Sequence, residues 1–193
     1  MKLSILITTI PESANFLKRI TNILQPQVSR YPEVEILIND TGRDMPTGTK
    51  RNQMIQDCKG QYYCFVDVDD IVPAYYVDEL MKSINQNPDV ITFIGYMTTN
   101  GGSMTDFVIK LGERYEYRLG KYYRFPNHLC CFKKSLVSHI KFSDVWEQED
   151  YIWAKKVNDM GLLKSEVHIP VNMYHYDFIT TKAPYRHGTA KVL

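Results

Sequence analysis

Four short apolar runs, three of them followed by a segment of helical periodicity, constrain this chain more than any other feature. They are LSILITTI (3–10), VEILIND (34–40), QYYCFVDV (61–68) and DVITFIGYMT (89–98). The first is continuous and rich in β-branched residues, as in a strand covered on both faces. In the segment 13–30, Phe16, Leu17, Ile20, Ile23 and Leu24 recur at helical spacing, and Pro26 is expected to bend or end that helix. TGTKRNQMIQDC (47–58) predicts a second helix. PAYYVDELMKSINQN (73–87) predicts a third, with Pro73 in its first turn and Asp70 as a candidate cap.

Strictly alternating strands and helices predict an α/β chain with a Rossmann-like, mostly parallel central sheet flanked by helices. Its 193 residues suffice for one domain with a sizeable core. In such sheets ligands bind beyond the carboxyl ends of the strands. Here those ends carry TTIPE (8–12), NDTGRD (39–44) and DVDD (67–70), so the three should meet along one edge.

The third of these ends is unusual. Asp67, Asp69 and Asp70 fall within four positions, and carboxylates this close repel unless something positive sits among them. Hard oxygen ligands in a short run suit Mg²⁺ or Mn²⁺, which one or two carboxylates and substrate phosphates commonly hold together. In an extended segment Asp67 and Asp69 share a face and Asp70 points away. The same pattern also forms ordinary turns and caps.

After residue 100 the character changes. Residues 110–141 hold Lys110, Arg114, Arg118, Lys121, Arg124, Lys133, Lys134 and Lys141 against Glu113 and Glu116, with tyrosines and phenylalanines interleaved. NHLCCFKK (127–134) is expected to be a strand, WEQEDYIWAKKVNDMG (146–161) a helix closed by Gly161, and VHIPVNMYHYDF (167–178) a last strand. The expected organisation is one domain over 1–178. It has a nucleotide-like half over 1–100, a half of different character over 101–178, and a polar, mobile tail over 179–193.

Several classes are disfavoured. A net charge of +1 advertises neither nucleic acid nor membrane. Cys58, Cys64, Cys130 and Cys131 match no zinc spacing, and reduced thiols with no signal peptide or membrane span predict a cytoplasmic protein. No glycine-rich phosphate loop and no serine elbow is present.

The segments SILITTIPE, EILINDTG, KRNQMIQDCKGQYYCFVDVDDIVP and WEQEDYIWAKKV occur in the order and spacing of nucleotide-sugar glycosyltransferases of the GT-A fold. The chain most resembles their family 2. The most specific block comprises Arg51, Asn52, Gly60, Tyr62, Phe65, Asp67, Asp69, Asp70 and Pro73, and the second anchor is Glu149-Asp150. The resemblance implies a metal-dependent, inverting transfer from a UDP-sugar, with Mn²⁺ or Mg²⁺ as cofactor. By the same resemblance Thr8, Thr9, Pro11 and Glu12 line the uracil pocket, and Asp40 recognises base or ribose. Lys50, Arg51 and Asn52 contact the nucleotide, and Asp67 lies near ribose and metal. Asp69 holds the metal, His175 completes its coordination, Asp150 is the general base and Glu149 orients the acceptor. Where this family often has two acids after the second strand, this chain has Asn39-Asp40. TTIPES likewise stands in place of the usual first-strand motif.

The acceptor expected from the basic, aromatic stretch is a glycan or a polyanion such as hydroxylated-base DNA of the phage type. Trp146 and Trp153, seven residues apart, could stack on sugar or belong to the core; His187 competes with His175, and Lys182, Arg186 and His187 could fold over a diphosphate. Two other classes stay open. A nucleotidyltransferase would share the strand-end acids but want a basic, glycine-rich first loop. A non-catalytic carbohydrate- or nucleic-acid-binding module could use the same scaffold.

Overall fold

The computed structural model describes residues 1–179. The tail beyond Ile179, with Lys182, Arg186 and His187, lies outside the described residues.

The expected alternation forms one α/β layer system. Strands β1 (Leu3–Thr8), β2 (Val34–Asn39) and β3 (Tyr62–Phe65) alternate with helices α1 (Ala14–Val28) and α2 (Thr47–Asp57). Helix α3 (Tyr76–Ile84) leads to β4 (Val90–Thr99). Strand β1 pairs in parallel with β2 on one side and β3 on the other, from Leu3↔Val34 to Thr8↔Asn39 and from Leu3↔Tyr62 to Leu6↔Phe65. Every residue of β1 from Leu3 to Ile7 is buried, as a strand covered on both faces requires. The ends Thr8, Asn39 and Phe65 therefore lie side by side, with TTIPE, NDTGRD and DVDD beyond them.

The second half closes the sheet. The basic stretch contains β5 (Thr105–Ile109), β6 (Glu116–Arg118) and β7 (Lys121–Arg124); β8 (Cys131–Lys133) and the short helix α4 (Lys134–Val137) follow. Helix α5 (Glu149–Asp159) leads to the last strand, β9 (Glu166–Phe178). The sheet has nine strands, in the order β2-β1-β3-β8-β4-β5-β7-β6, with β9 also paired to β4. Strand β8 runs antiparallel to both neighbours, whereas β9 runs parallel to β4. The sheet is mixed, with most strands pointing the same way as β1.

Some boundaries differ from expectation, each for a local reason. Helix α1 runs through Pro26 to Val28, because a proline in the last turn disturbs little of the ladder behind it. Helix α5 starts at Glu149 rather than Trp146, since Gln148 adopts φ 64, a left-handed conformation that no helix interior accepts. Trp146 is consequently outside the helix and 52% exposed, while Trp153 is 1% exposed and stacks on Phe142 with ring centroids 4.7 Å apart. Its indole N–H donates to the Ile140 carbonyl at 2.9 Å, so Trp153 is core. Asp70 caps no helix, because α3 begins beyond it with Tyr75 at the cap position. The four cysteines are free and buried. Among the described residues no helix is long and apolar enough to cross a membrane.

Candidate active site

Helix α2 presents Lys50 and Arg51 to the strand ends. Its first turn can lie close to the 143–145 segment because residue 48 is glycine; a Cβ there would stand 1.9 Å from the Ser143 carbonyl oxygen. That approach brings Arg51, on α2, to the start of α5.

Arg51 is 4% exposed and lies between two rings, its Cζ 4.6 Å from the Phe65 centroid and 5.7 Å from that of Phe142. Its guanidinium donates to Asp67 Oδ1 at 3.0 Å and, through Nε, to Glu149 Oε1 at 3.2 Å. The other oxygen of Asp67 meets His128 Nε2 at 3.1 Å. His128 Nδ1 lies 3.4 Å from Asp150 Oδ2, within ion-pair range but without hydrogen-bond alignment. Glu149, Arg51, Asp67, His128 and Asp150 thus form one continuous chain of charged or polar contacts. It gathers β3, α2, the segment before β8 and α5 at the same edge of the sheet.

Burial pushes the Asp67 carboxyl up, but the His128 and Arg51 side chains outweigh it and hold this carboxyl well below the usual range. Glu149 goes the other way: burial raises it further than Arg51 lowers it. Asp150 remains partly open, its side chain 38% exposed.

Beside this chain lies a hollow of about 190 Å³ lined by Thr8, Thr9, Ile10, Ser13, Thr47, Lys50, Val68 and Asp69. Four of the expected donor-site residues, Thr8, Thr9, Lys50 and Asp69, therefore share one concavity. The Lys50 ammonium is buried, and donates to the Thr9 carbonyl at 3.0 Å and to that of Gly42. Burial first, and then the Arg43 charge, lower its pKa. It braces the end of β1 against the 42–44 turn as well as facing the hollow.

Other expected residues are placed differently. Pro11 and Glu12 form a short 3-10 turn, and Glu12 pairs with Arg43 at 3.1 Å on the surface. Asp40 is exposed just past β2 and outside the residues lining the hollow. Asn52 uses both ends of its amide on the Phe142 backbone, donating to the carbonyl and accepting from the N–H, each at 2.9 Å. It fastens α2 to the 142 loop.

The expected metal trio is not assembled. Among the described residues no three His, Cys, Asp or Glu side chains are grouped to hold a metal ion. Both oxygens of Asp67 are engaged by Arg51 and His128. His175 meets Thr98 Oγ1 at 2.8 Å through Nε2 and stacks on Tyr96 with centroids 4.4 Å apart. Asp69 is the one carboxylate among the residues that line the hollow.

Asp70 is fully buried. Its Oδ1 accepts the Asp177 N–H at 3.1 Å, while Oδ2 has no hydrogen-bond partner. Burial, then the charges of Asp67 and Asp69, raise its pKa well above the ordinary value. The folded state therefore binds a proton at Asp70 that the unfolded chain releases above about pH 4, so this group costs stability as pH rises. Asp70→Asn keeps the acceptor for Asp177 and removes the titration. The variant's unfolding midpoint should accordingly gain on the wild type's between pH 4 and 8, as followed by circular dichroism. Parallel pH profiles for the two proteins would contradict this.

Glycosyl transferase family 2 matches residues 43–146 of the chain, more than half of its length. The chain belongs to that family. Uncharacterized glycosyltransferase MJ1057 of Methanocaldococcus jannaschii is 24% identical over 98 residues, covering 49% of this chain and 33% of that protein. Among solved structures, S. aureus TarS 1–349 in complex with UDP-GlcNAc matches with a TM-score of 0.68 at 15% identity, covering 100% of this chain and 62% of that one. The same fragment in complex with UDP matches at 0.67 and 16% identity, over 92% and 60% of the two chains. These likenesses establish the GT-A fold that the family resemblance implied. The chain spans about a third of the curated relative and about three fifths of the TarS fragment.

Proposed function

We propose that the protein transfers a sugar from a UDP-sugar to an acceptor hydroxyl, inverting the anomeric centre. The observation that carries this reading is the meeting, at one sheet edge, of a hollow bearing Asp69 and Lys50 with a partly open carboxylate, Asp150. The two are joined through neighbouring residues, Lys50 to Arg51 and Asp67 to Asp69. The TarS fragment binds UDP-GlcNAc, a donor of this class, and UDP, the product such a donor leaves, which supports the reading.

In this mechanism the end of β1 and Lys50 receive the nucleotide. A divalent cation held by Asp69 and the donor's phosphates would supply neutralising charge for the leaving diphosphate. Asp150 takes the proton from the attacking hydroxyl, and Glu149, fixed by Arg51, shapes the floor beneath the acceptor. A single displacement with a base on the face opposite the leaving group inverts the centre. No protein nucleophile is needed.

For the acceptor, a saccharide fits better than a polyanion. Arg118 is matched by Glu113 at 2.8 Å and by Glu116, and Lys121 by Asp106 at 2.9 Å. Arg124 lies over the rings of Phe107, Tyr115 and Tyr122. Lys133 and Lys134 line a separate hollow with Lys59 and Tyr62, at the opposite end of β3 from Asp67. An aromatic pair also stands by Asp150: Tyr151 follows it on α5, and Tyr115, on which the Asp150 charge acts, meets Tyr151 edge to face at 5.2 Å. Aromatic faces suit pyranose rings.

A thermal-shift screen of nucleotide-sugars with and without Mn²⁺ tests the donor. A UDP-sugar at 100 times its Kd should stabilise the fold by about 2.7 kcal/mol. Asp69→Ala should erase the Mn²⁺-dependent part of the shift. A screen in which no nucleotide-sugar moves the transition would contradict the proposal.

A further inference from the structure

His128 has no assigned role, yet it touches both acids between which the reaction would run. Its side chain is 6% exposed, Nε2 is 3.1 Å from Asp67 Oδ2 and Nδ1 is 3.4 Å from Asp150 Oδ2. Nδ1 is buried and forms no hydrogen bond. A buried polar nitrogen left without an aligned partner is uncommon and calls for an explanation.

The backbone around this residue is held firmly. The His128 carbonyl accepts the Phe65 N–H at 3.3 Å, which ties it to the strand that delivers Asp67. Asn127 accepts the Leu129 N–H through Oδ1 at 3.2 Å and donates to the Tyr115 hydroxyl at 3.2 Å. Asp67 is itself pinned by Arg51, which two rings and Glu149 hold in place. On one side, therefore, the imidazole rests on a rigid anchor. On the other it faces the partly open Asp150, on the first turn of a helix entered through the left-handed Gln148. The nitrogen without an aligned partner is the one nearest that carboxylate, at 3.4 Å.

We infer that His128 is a positioning residue that orients Asp150, using the anchored Asp67 as its support, so that the base faces the donor before an acceptor arrives. This inference rests on the transferase reading above and adds a residue to it. Holding a base in its productive geometry raises turnover without altering how the donor binds.

The test compares wild type, His128→Gln, His128→Ala, Asp150→Asn and the double variant His128→Gln/Asp150→Asn. UDP release from UDP-GlcNAc and other UDP-sugars is measured with water and a panel of saccharides as acceptors, and UDP affinity by calorimetry. His128→Gln should lower kcat at least tenfold with donor KM within threefold. Imidazole added to His128→Ala should restore part of the loss, and the double variant should be no slower than Asp150→Asn alone. The inference is overturned if His128→Gln turns over like wild type, if UDP affinity falls in step with kcat, or if the two substitutions multiply. A second readout needs no turnover: in protein with ¹⁵N-labelled histidine, Asp150→Asn should shift the His128 Nδ1 signal and Asp67→Asn the Nε2 signal. An unmoved Nδ1 signal in a folded Asp150→Asn variant also overturns it. A wild type that releases UDP from no donor overturns the transferase reading and this inference with it. That outcome is distinct from an active wild type whose His128 variants behave normally.

Discussion

Replacing Asp150 by Asn leaves UDP binding within about threefold of wild type and lowers sugar transfer by about 10²–10⁴-fold, the span usual for loss of a general base. The amide is nearly isosteric and keeps an oxygen toward His128, so the fold and the donor hollow are undisturbed. It cannot accept the acceptor's proton. The separation between the two effects is the informative part, because the hollow lined by Thr8, Thr9, Lys50 and Asp69 does not include Asp150. Calorimetry with UDP, alongside UDP release in the presence of acceptor, reads both. Equal loss of binding and transfer would remove Asp150 from the role of base.

Arg51→Met should be the most damaging single change to stability. Arg51 compensates Asp67 and Glu149 together, and its own side chain is 5% exposed, with that of Glu149 at 7%. Removing one partner of a buried ion pair leaves an uncompensated charge and costs about 3–5 kcal/mol. For a chain of this size that lowers the unfolding midpoint by roughly 6 to 20 °C. The effect also has a pH signature. The Asp67 pKa is depressed in the folded protein, so its contribution is present above about pH 4 and is lost as pH falls through the lower folded value. Arg51→Met removes part of that contribution, so the gap between variant and wild type should narrow in acid. A shift of under 2 °C at neutral pH would contradict the account of Arg51 as the keystone of the charge chain.

Much of this architecture was legible in the residue order, and the reasons are local. The apolar runs of β1 to β4 and the helical spacing of Phe16, Leu17, Ile20, Ile23 and Leu24 are properties of neighbours in sequence. They predicted the alternation and the edge at which Thr8, Asn39 and Asp67 meet. In the second half β8 and β9 were expected, whereas β5, β6 and β7 were not legible, because these strands are short and interspersed with charged residues. The one local signal there is YRLGKY (117–122), where Leu119 and Gly120 both take positive φ in the turn between β6 and β7. A dipeptide ending in glycine between alternating residues is the mark of such a hairpin.

The site was legible in its acids and illegible in what holds them. Asp67, Asp69, Glu149 and Asp150 announce themselves by clustering. His128 does not, since its partners are 61 residues upstream and 22 downstream. What could have drawn attention is the polar pair Asn127-His128 inside the apolar run FPNHLCCF (125–132). Asp70 and Asn52 show the converse: both sit in the most recognisable block, yet one is a buried acid tied to β9 and the other a backbone staple. Spacing along the chain predicts shared faces, and side-chain roles depend on which distant elements arrive at those faces. His175 fits the same pattern. Its place on β9 is as expected, but Thr98 and Tyr96 of the neighbouring strand engage it.

The most direct test of the central claim is hydrogen exchange measured by mass spectrometry with and without UDP in the presence of Mn²⁺. The account predicts slowed exchange over residues 8–13, 47–50 and 66–70, the segments that converge at the carboxyl ends of β1 and β3. Protection confined to residues 59–62 and 133–138, around the hollow at the other end of β3, would contradict it, as would no protection anywhere.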